Sequence, residues 1–423
     1  MKERLLQFIW QHQYFNRQLQ TEDGELLEIV SPGTLNHHQG PDFLNAIVRI
    51  GEGRWFGHIE LHVRSSDWNR HAHQHDPNYK NVILHVVWQD DHDSPPGIPV
   101  LTLKGRVPLT LLNRYGQWMQ TPAFIPCADM AGSVERSVWT SWKRQLLVKR
   151  LSRRTRDIRT IFDQTDRNWE ETTWRWLARS YGLTVNAALF GELAASLSIY
   201  LLARHRNRSD QLEALFLGQT GLLEDPPADD YCRVLLAEFH HLRHKYQLPV
   251  IHTRPRSLRM RPDNLPSIRL AQLAALLTRS TAWFTMLRET EDPAVLLDLL
   301  DVPAGTYWND HYLPGRPTAY KLKRPGIDFR RSLLINAFIP ILYAYGKIHD
   351  DPAACRKAVQ WLQWIPAEKN TQIANWSHLG ISSSHAADSQ ALLECKNHYC
   401  ASRKCLDCTV GNTILRLGSP GAN

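Results

Sequence analysis

The stretch G40-PDFLNAIVRIGEGRWFGHIELH-V63 decides the fold. Apolar and β-branched residues flank Gly51-Glu52-Gly53, and the pattern reads as two strands joined by a turn. A three-residue loop, with glycine at the positive φ such turns need, pairs Ile50 with Arg54. Asp42 then faces His62, and Glu60 lies two residues back on the same side of the sheet. Directly opposite side chains stand about 5 Å apart and diagonal ones about 7–8 Å, so Asp42, Glu60 and His62 converge at one end of the hairpin. A register slip of one residue would send Asp42 to the other face.

Two clustered carboxylates in a half-buried place repel each other, and a divalent cation removes that cost. Mg²⁺ or Mn²⁺ takes such oxygen ligands together with water and a phosphate. The ion polarises a phosphodiester and acidifies a bound water, and His62 has the pKa range to take that proton. The plainer reading is a pair of solvated strand-end acids beside a surface histidine.

Outward from the hairpin, residues 2–15 show an amphipathic helical pattern, "ELLEIVSPG" a strand ending in a turn, and "NVILHVVWQ" an apolar strand. "VLTLKGRVPL" adds an edge strand. The order is helix, strand, strand, strand, connection, strand. Beyond Val134 helical patterns dominate: Ser141–Phe162, Asn186–Arg204, Tyr231–Tyr246, Ile268–Thr278, Ile335–Tyr345 and Ala354–Trp364. The expectation is an α/β domain over 1–120, a helical domain over 135–390 and a cysteine-rich tail over 391–423.

The 423 residues are 43% hydrophobic and 22% charged, which permits a proper core without disulfide staples. No secretory signal pattern opens the chain, and no apolar run is long enough to span a bilayer, so a cytoplasmic protein without membrane contact is expected. In that compartment the seven cysteines are thiols or metal ligands. Net charge is +8, and it concentrates in "KRQLLVKRLSRRTRDIR", where eight basic residues accompany one Asp. Lys143, Arg144, Lys149, Arg150, Arg153 and Arg154 are therefore candidate phosphate contacts, against the alternative of a solvated helix face.

Arg259, Arg261 and Arg269 surround the start of an apolar helix in "RMRPDNLPSIRLAQLAALL", with Asp263 or Asn264 as cap and Pro266 in the first turn. Arg259 and Arg261 are candidate nucleic-acid contacts; the blander role is to tie a loop to the helix. "GQTG" at 218–221 lacks the lysine of a phosphate loop and reads as a helix C-terminus. His71, His73, His75 and the strand residue His85 are candidates for the periphery of the hairpin site. The spacing Cys395-x₄-Cys400-x₄-Cys405-x₂-Cys408 fits four thiolates on zinc, or an iron–sulfur cluster. Cys232 and Cys355 fall in helical patterns and read as packed thiols.

Pro41-Asp42, the hairpin and Glu60-Leu61-His62, with the element order around them, resemble the PD-(D/E)XK nucleases. That resemblance implies a restriction-endonuclease-like core with Asp42 and Glu60 on the metal. It puts residue 62 in the slot normally held by lysine, with Glu28 or Glu3 assisting. Some nucleases of this type tie one distant cysteine to three near the C-terminus, which would make Cys127 an alternative to Cys395. The implied activity is metal-dependent cleavage of nucleic acid; histidine in the lysine slot leaves open a non-catalytic nucleic-acid-binding or scaffold protein of the same fold. Over nearly all its length the chain also resembles an uncharacterised bacterial domain-of-unknown-function family, through "GPDFLNA", "GHIELHVRSSDW", "LFLGQTGLL", "LRMRPDNLPSIRLA" and "YCASRKCLDCTVGNTIL".

Overall fold

The computed structural model describes residues 1–91, 97–223 and 229–417, so the end of the expected 391–423 tail lies outside the described residues. The chain divides into two compact units, residues 1–143, 374–382 and 393–423, and residues 144–373 and 383–392. The cysteine-bearing C-terminal segment thus belongs to the same unit as the N-terminal sheet.

In the first unit, helix α1 (Glu3–Gln11) precedes a mixed sheet of β1 (Leu19–Gln20), β2 (Leu26–Ser31), β3 (Thr34–Leu35), β4 (Phe43–Ile50), β5 (Gly53–Arg64), β6 (Val82–Gln89) and β7 (Val100–Thr102). The strand order is β1-β2-β4-β5-β6-β7, with β3 beside β4. Pairing is antiparallel up to β5; β6 and β7 then run parallel to it. Parallel neighbours need a crossover, and residues 65–81 supply it with the one-turn helix α2 (Asp67–Arg70) and two 3₁₀ turns. β6 is buried on both faces from Val82 to Val87, as a central parallel strand should be. Gly57 allows that closeness, because a Cβ there would meet Asn81 O at 2.5 Å. Leu5, Leu6, Ile9 and Trp10 bury one side of α1, which packs on β5. Helix α3 (Leu109–Gln120) completes this part, and α4 (Arg136–Gln164) leads away.

The second unit holds the rest of α4 and α5 (Trp169–Tyr181), α6 (Leu183–Ser196), α7 (Ile199–His205), α8 (Ser209–Gln219), α9 (Asp230–Tyr246) and α10 (Pro266–Arg279). It continues with α11 (Trp283–Glu289), α12 (Pro293–Leu299), a short β8–β9 hairpin (His311–Leu313, Arg316–Pro317), α13 (Ile327–Leu333), α14 (Ile339–Ile348) and α15 (Pro352–Trp364). The chain ends with α16 (Thr371–His378), α17 (Ala386–Cys395) and α18 (Thr409–Arg416).

The helix expected over 186–204 breaks between α6 and α7, where Ser198 caps a new start by accepting Leu201 N–H. The helix expected over 335–345 begins at Ile327 and bulges into a π-turn at Leu334–Phe338. Pro340 explains the bulge, since it cannot bond the carbonyl four residues back. That carbonyl, Asn336 O, accepts from Trp176 Nε1 at 2.9 Å instead. Neither Asp263 nor Asn264 caps α10: Asp263 pairs with Lys321, Asn264 accepts from Arg269, and Leu265 occupies the cap position. "GQTG" does end a helix, with Gly221 at φ +71°. No single helix among the described residues is long and apolar enough to cross a membrane.

Candidate functional site

The hairpin differs from its sequence reading in two places, which together shift the register by two residues and so keep Asp42 on the same face. Ile50 pairs with Gly53, not Arg54, so the loop has two residues, Gly51 and Glu52. Gly51 takes φ +56°, as a tight primed turn with glycine first requires. This register alone would put Asp42 on the wrong face. A bulge between Phe43 and Ala46 adds one residue to β4, with Asn45 at φ +57°, and Phe43 then pairs with Ile59. Asp42 therefore meets Glu60 rather than His62. The two residues clasp: Asp42 N–H donates to Glu60 Oε2 at 3.0 Å, and Leu61 N–H donates to Asp42 Oδ2 at 3.1 Å. Asp42 Oδ1 accepts from Gln7 Nε2 of α1 at 2.8 Å, and Gln7 reaches back to Glu3.

Of the two assisting acids, Glu3 lies near this pair, whereas Glu28 pairs with Arg49 at 3.2 Å farther up the ladder. Both Asp42 and Glu60 carboxyls are pushed well above the usual range. Burial is the main cause for each; the charges of Glu60 and Glu3 add to it at Asp42, and that of Glu3 at Glu60. Among the described residues no lysine or arginine pairs with either.

Imidazoles fill the place a cation would take. Parallel pairing sets Glu60 beside His85. His62 is 1% exposed; its Nδ1 lies 2.9 Å from His85 Nε2, and its Nε2 lies 3.2 Å from His71 Nδ1 and 3.5 Å from Glu60 Oε1. His73 Nε2 stands 3.3 Å from Glu60 Oε1 and has no hydrogen-bond partner. The ligating atoms of His62, His71 and His73 all lie within 4.8 Å of one another. Burial first, then the neighbouring imidazoles, pushes His62 down to about 2 and His85 down to about 4, so both rings are neutral.

Local sequence explains how residues 71 and 73 arrive here. Alternation in an extended strand would have aligned His71, His73 and His75. Instead the chain leaves α2, turns at Ala72 with φ +57°, and enters a 3₁₀ turn. A positive φ at alanine is strained, and here it aims two histidines at one point. Tyr79 stacks on His73 with ring centroids 3.8 Å apart, and buried Trp68 lies edge-on to it. His75 is exposed and outside the trio. The HAH triplet was the visible signal; the turn that makes it converge was not.

The basic candidates are less concentrated. Lys143 donates to Ser382 O, and Arg154 pairs with Asp157 and lies over Trp176. Arg144 and Lys149 are exposed on α4, and Arg150 and Arg153 are half-buried. Arg259 and Arg261 are exposed in the loop before α10, while Arg269 is buried against Phe329, Asn264 and Gln272. Cys232 and Cys355 sit in α9 and α15.

A family of proteins of unknown function, DUF2851, matches residues 3–371. The chain belongs to that family. No curated protein and no solved structure matches it. The DUF2851 match takes in the acids and histidines of the site and stops short of Cys395.

Proposed function

We propose that this DUF2851 protein carries a divalent-metal centre that hydrolyses phosphodiesters of nucleic acid. Glu60, His62, His71 and His73 would hold the ion, with Asp42 beside it. One observation carries the reading: four ligating atoms, two from β5 and two from the connection after it, face each other with 3.2, 3.3 and 3.5 Å spacings. Two atoms bound about 2.1 Å from one ion, at octahedral to tetrahedral angles, stand about 3.0–3.4 Å apart. Imidazoles with a carboxylate favour Mn²⁺, Fe²⁺ or Zn²⁺ over the Mg²⁺ that an all-oxygen site takes. His62 Nδ1–H donating to His85 Nε2 would leave the Nε2 lone pair for the ion, the usual supporting arrangement. The ion would polarise the phosphate and acidify a water, and Asp42 would take its proton. The helix α1 ahead of the sheet and the crossover that sets β6 parallel to β5 support the nuclease-like reading.

A second reading has its own observation. Both Asp42 oxygens and Glu60 Oε2 are already bonded within the protein. A fold that kept the clasp and lost the chemistry would bind nucleic acid through its basic residues without cutting. Purified protein incubated with Mn²⁺ and labelled DNA or RNA decides. Cleavage lost in folded Glu60→Ala and His73→Ala supports the enzyme; salt-sensitive binding without cleavage at any metal supports the second reading.

A further inference from the structure

Five cysteines of the first unit come from two stretches, one from the turn after α3 and four from 395–408, and lie near one another. Cys127 lies in the turn after α3, Cys395 ends α17, Cys400 ends the π-turn Lys396–Cys400, Cys405 opens a 3₁₀ turn, and Cys408 precedes α18. Cys127, Cys395, Cys405 and Cys408 are buried, and none is in a disulfide.

The π-turn is the decisive local feature. On an α-helix, residues five apart point to different sides. Here Ala401 N–H bonds Lys396 O at 2.8 Å, five residues back, and the extra residue in the turn returns Cys400 to the side of Cys395. Their sulfurs lie 3.9 Å apart. π-turns are rare and occur mostly at functional sites. Two thiolates bound about 2.3 Å from one tetrahedral ion stand about 3.8 Å apart. Cys408 lies near Cys395, and Cys127 and Cys405 lie near Cys408.

The backbone carrying these thiols is fixed independently of them. Lys396 Nζ donates to Phe124 O at 2.6 Å, Arg403 donates to Trp118 O and Thr121 O, and Arg4 pairs with Asp407. Gly411 packs so tightly on Cys405 that a Cβ would come within 2.4 Å of its carbonyl oxygen. No three thiols close as tightly as the histidine trio does. The set has room either for one ion drawn toward Cys395 and Cys400 or for a multi-iron cluster, whose thiolates sit on different irons.

We propose that the first unit holds a structural metal centre of four cysteine thiolates: Cys395, Cys400, Cys408 and one of Cys405 or Cys127. It shares no residue with the histidine site, and with Cys127 as the fourth ligand it joins the C-terminal segment to the turn after α3.

The test uses full-length protein purified anaerobically without added metal, with zinc, iron and acid-labile sulfide measured per chain. The expected result is about one equivalent of zinc, or iron with matching sulfide and a visible chromophore. In a His62→Ala background, which removes metal held by the histidines and should leave this centre, Cys400→Ser and Cys408→Ser should each lower the metal at least tenfold. Cys127→Ser and Cys405→Ser identify the fourth ligand by which of them loses metal. Should the serine variants not fold, cobalt(II) is added to chelator-stripped wild-type protein; a thiolate-to-cobalt charge-transfer band with loss of thiol-reagent reactivity supports the centre. Metal-free wild-type protein whose thiols stay fully reactive in zinc or cobalt overturns it. So does metal retained in both serine variants, or lost in His62→Ala alone, which would assign all of it to the histidines.

Discussion

Glu60 and Glu213 are equally buried acids with opposite surroundings. They are 4% and 3% exposed, and burial raises both carboxyls. Glu213 on α8 receives donors: Tyr231 O–H at 2.8 Å and Trp308 Nε1–H at 2.7 Å, both on Oε2. Both donors belong to the second unit. Glu60 spends Oε2 on a backbone N–H and turns Oε1 toward two imidazole nitrogens, neither of them a hydrogen-bonded donor to it. An acid that serves only structure ends its bonds on donors. An acid poised for a ligand leaves one atom facing other ligating atoms, which one cation would satisfy together.

The widest separation expected between the two is in metal binding. Glu60→Ala should lower Mn²⁺ or Zn²⁺ affinity at the histidine site by more than about a hundredfold, since it removes a ligand where even an outer partner is worth 10–100-fold. Glu213→Ala should leave that affinity unchanged and cost about 3 kcal/mol in urea unfolding, because it strands two buried donors at roughly 1–3 kcal/mol each. Calorimetric titration and denaturation on both variants read the contrast. A Glu60→Ala protein with wild-type metal affinity breaks it.

The pH response sharpens it next. Burial pushes Glu213 up to about 7, from 4.5 in the unfolded chain, against the pull of Trp308 and Tyr231. Below 4.5 both states hold the proton and the group costs nothing. As pH rises from 4.5 to 7 the unfolded state ionises first and stability falls, by about 3 kcal/mol once pH exceeds 7. Glu213→Gln should remove this part of the slope between pH 5 and pH 8, so the difference from wild type should grow with pH. A constant difference would show that Glu213 does not titrate in that window.

His85 offers a finer cut. It is fully buried and bonds His62. Replacing it with Ala frees the His62 ring, and metal affinity should fall about 10–100-fold with Glu60, His71 and His73 intact. Affinity unchanged within twofold would detach His85 from the centre.

How much of this contrast was legible in the sequence depends on the range of the forces that set it. The strands, the helix ahead of them and the helical remainder follow local periodicity, which the sequence carries directly. Glu60 and His62 share a face because strands alternate, so their meeting was readable. The partner of Asp42 was not: it depends on a loop one residue shorter than inferred and a bulge one residue longer, and neither leaves a pattern. His71 and His73 had a visible spacing, but their convergence depends on a left-handed Ala72 set between two hydrogen-bonded turns. Glu213 had no local signal, because its donors come from residues 18 and 95 positions away.

The smallest expected effect tests the bulge that gives Glu60 its neighbour. Asn45 holds φ +57° on an exposed part of β4, and its N–H lies 3.3 Å from His58 Nδ1. Asparagine tolerates this conformation, glycine does so freely, and a β-branched residue is strained there. Asn45→Gly should therefore change stability and metal affinity little. Asn45→Val should cost about 1–2 kcal/mol, and its metal affinity should fall if the strain is relieved by sliding Asp42 off Glu60. Glu213, held by helices, feels none of this. If the valine variant matches wild type in both measurements, the left-handed bulge is not what sets the Asp42–Glu60 clasp, and the clasp must be held by Gln7 and the α1 packing alone.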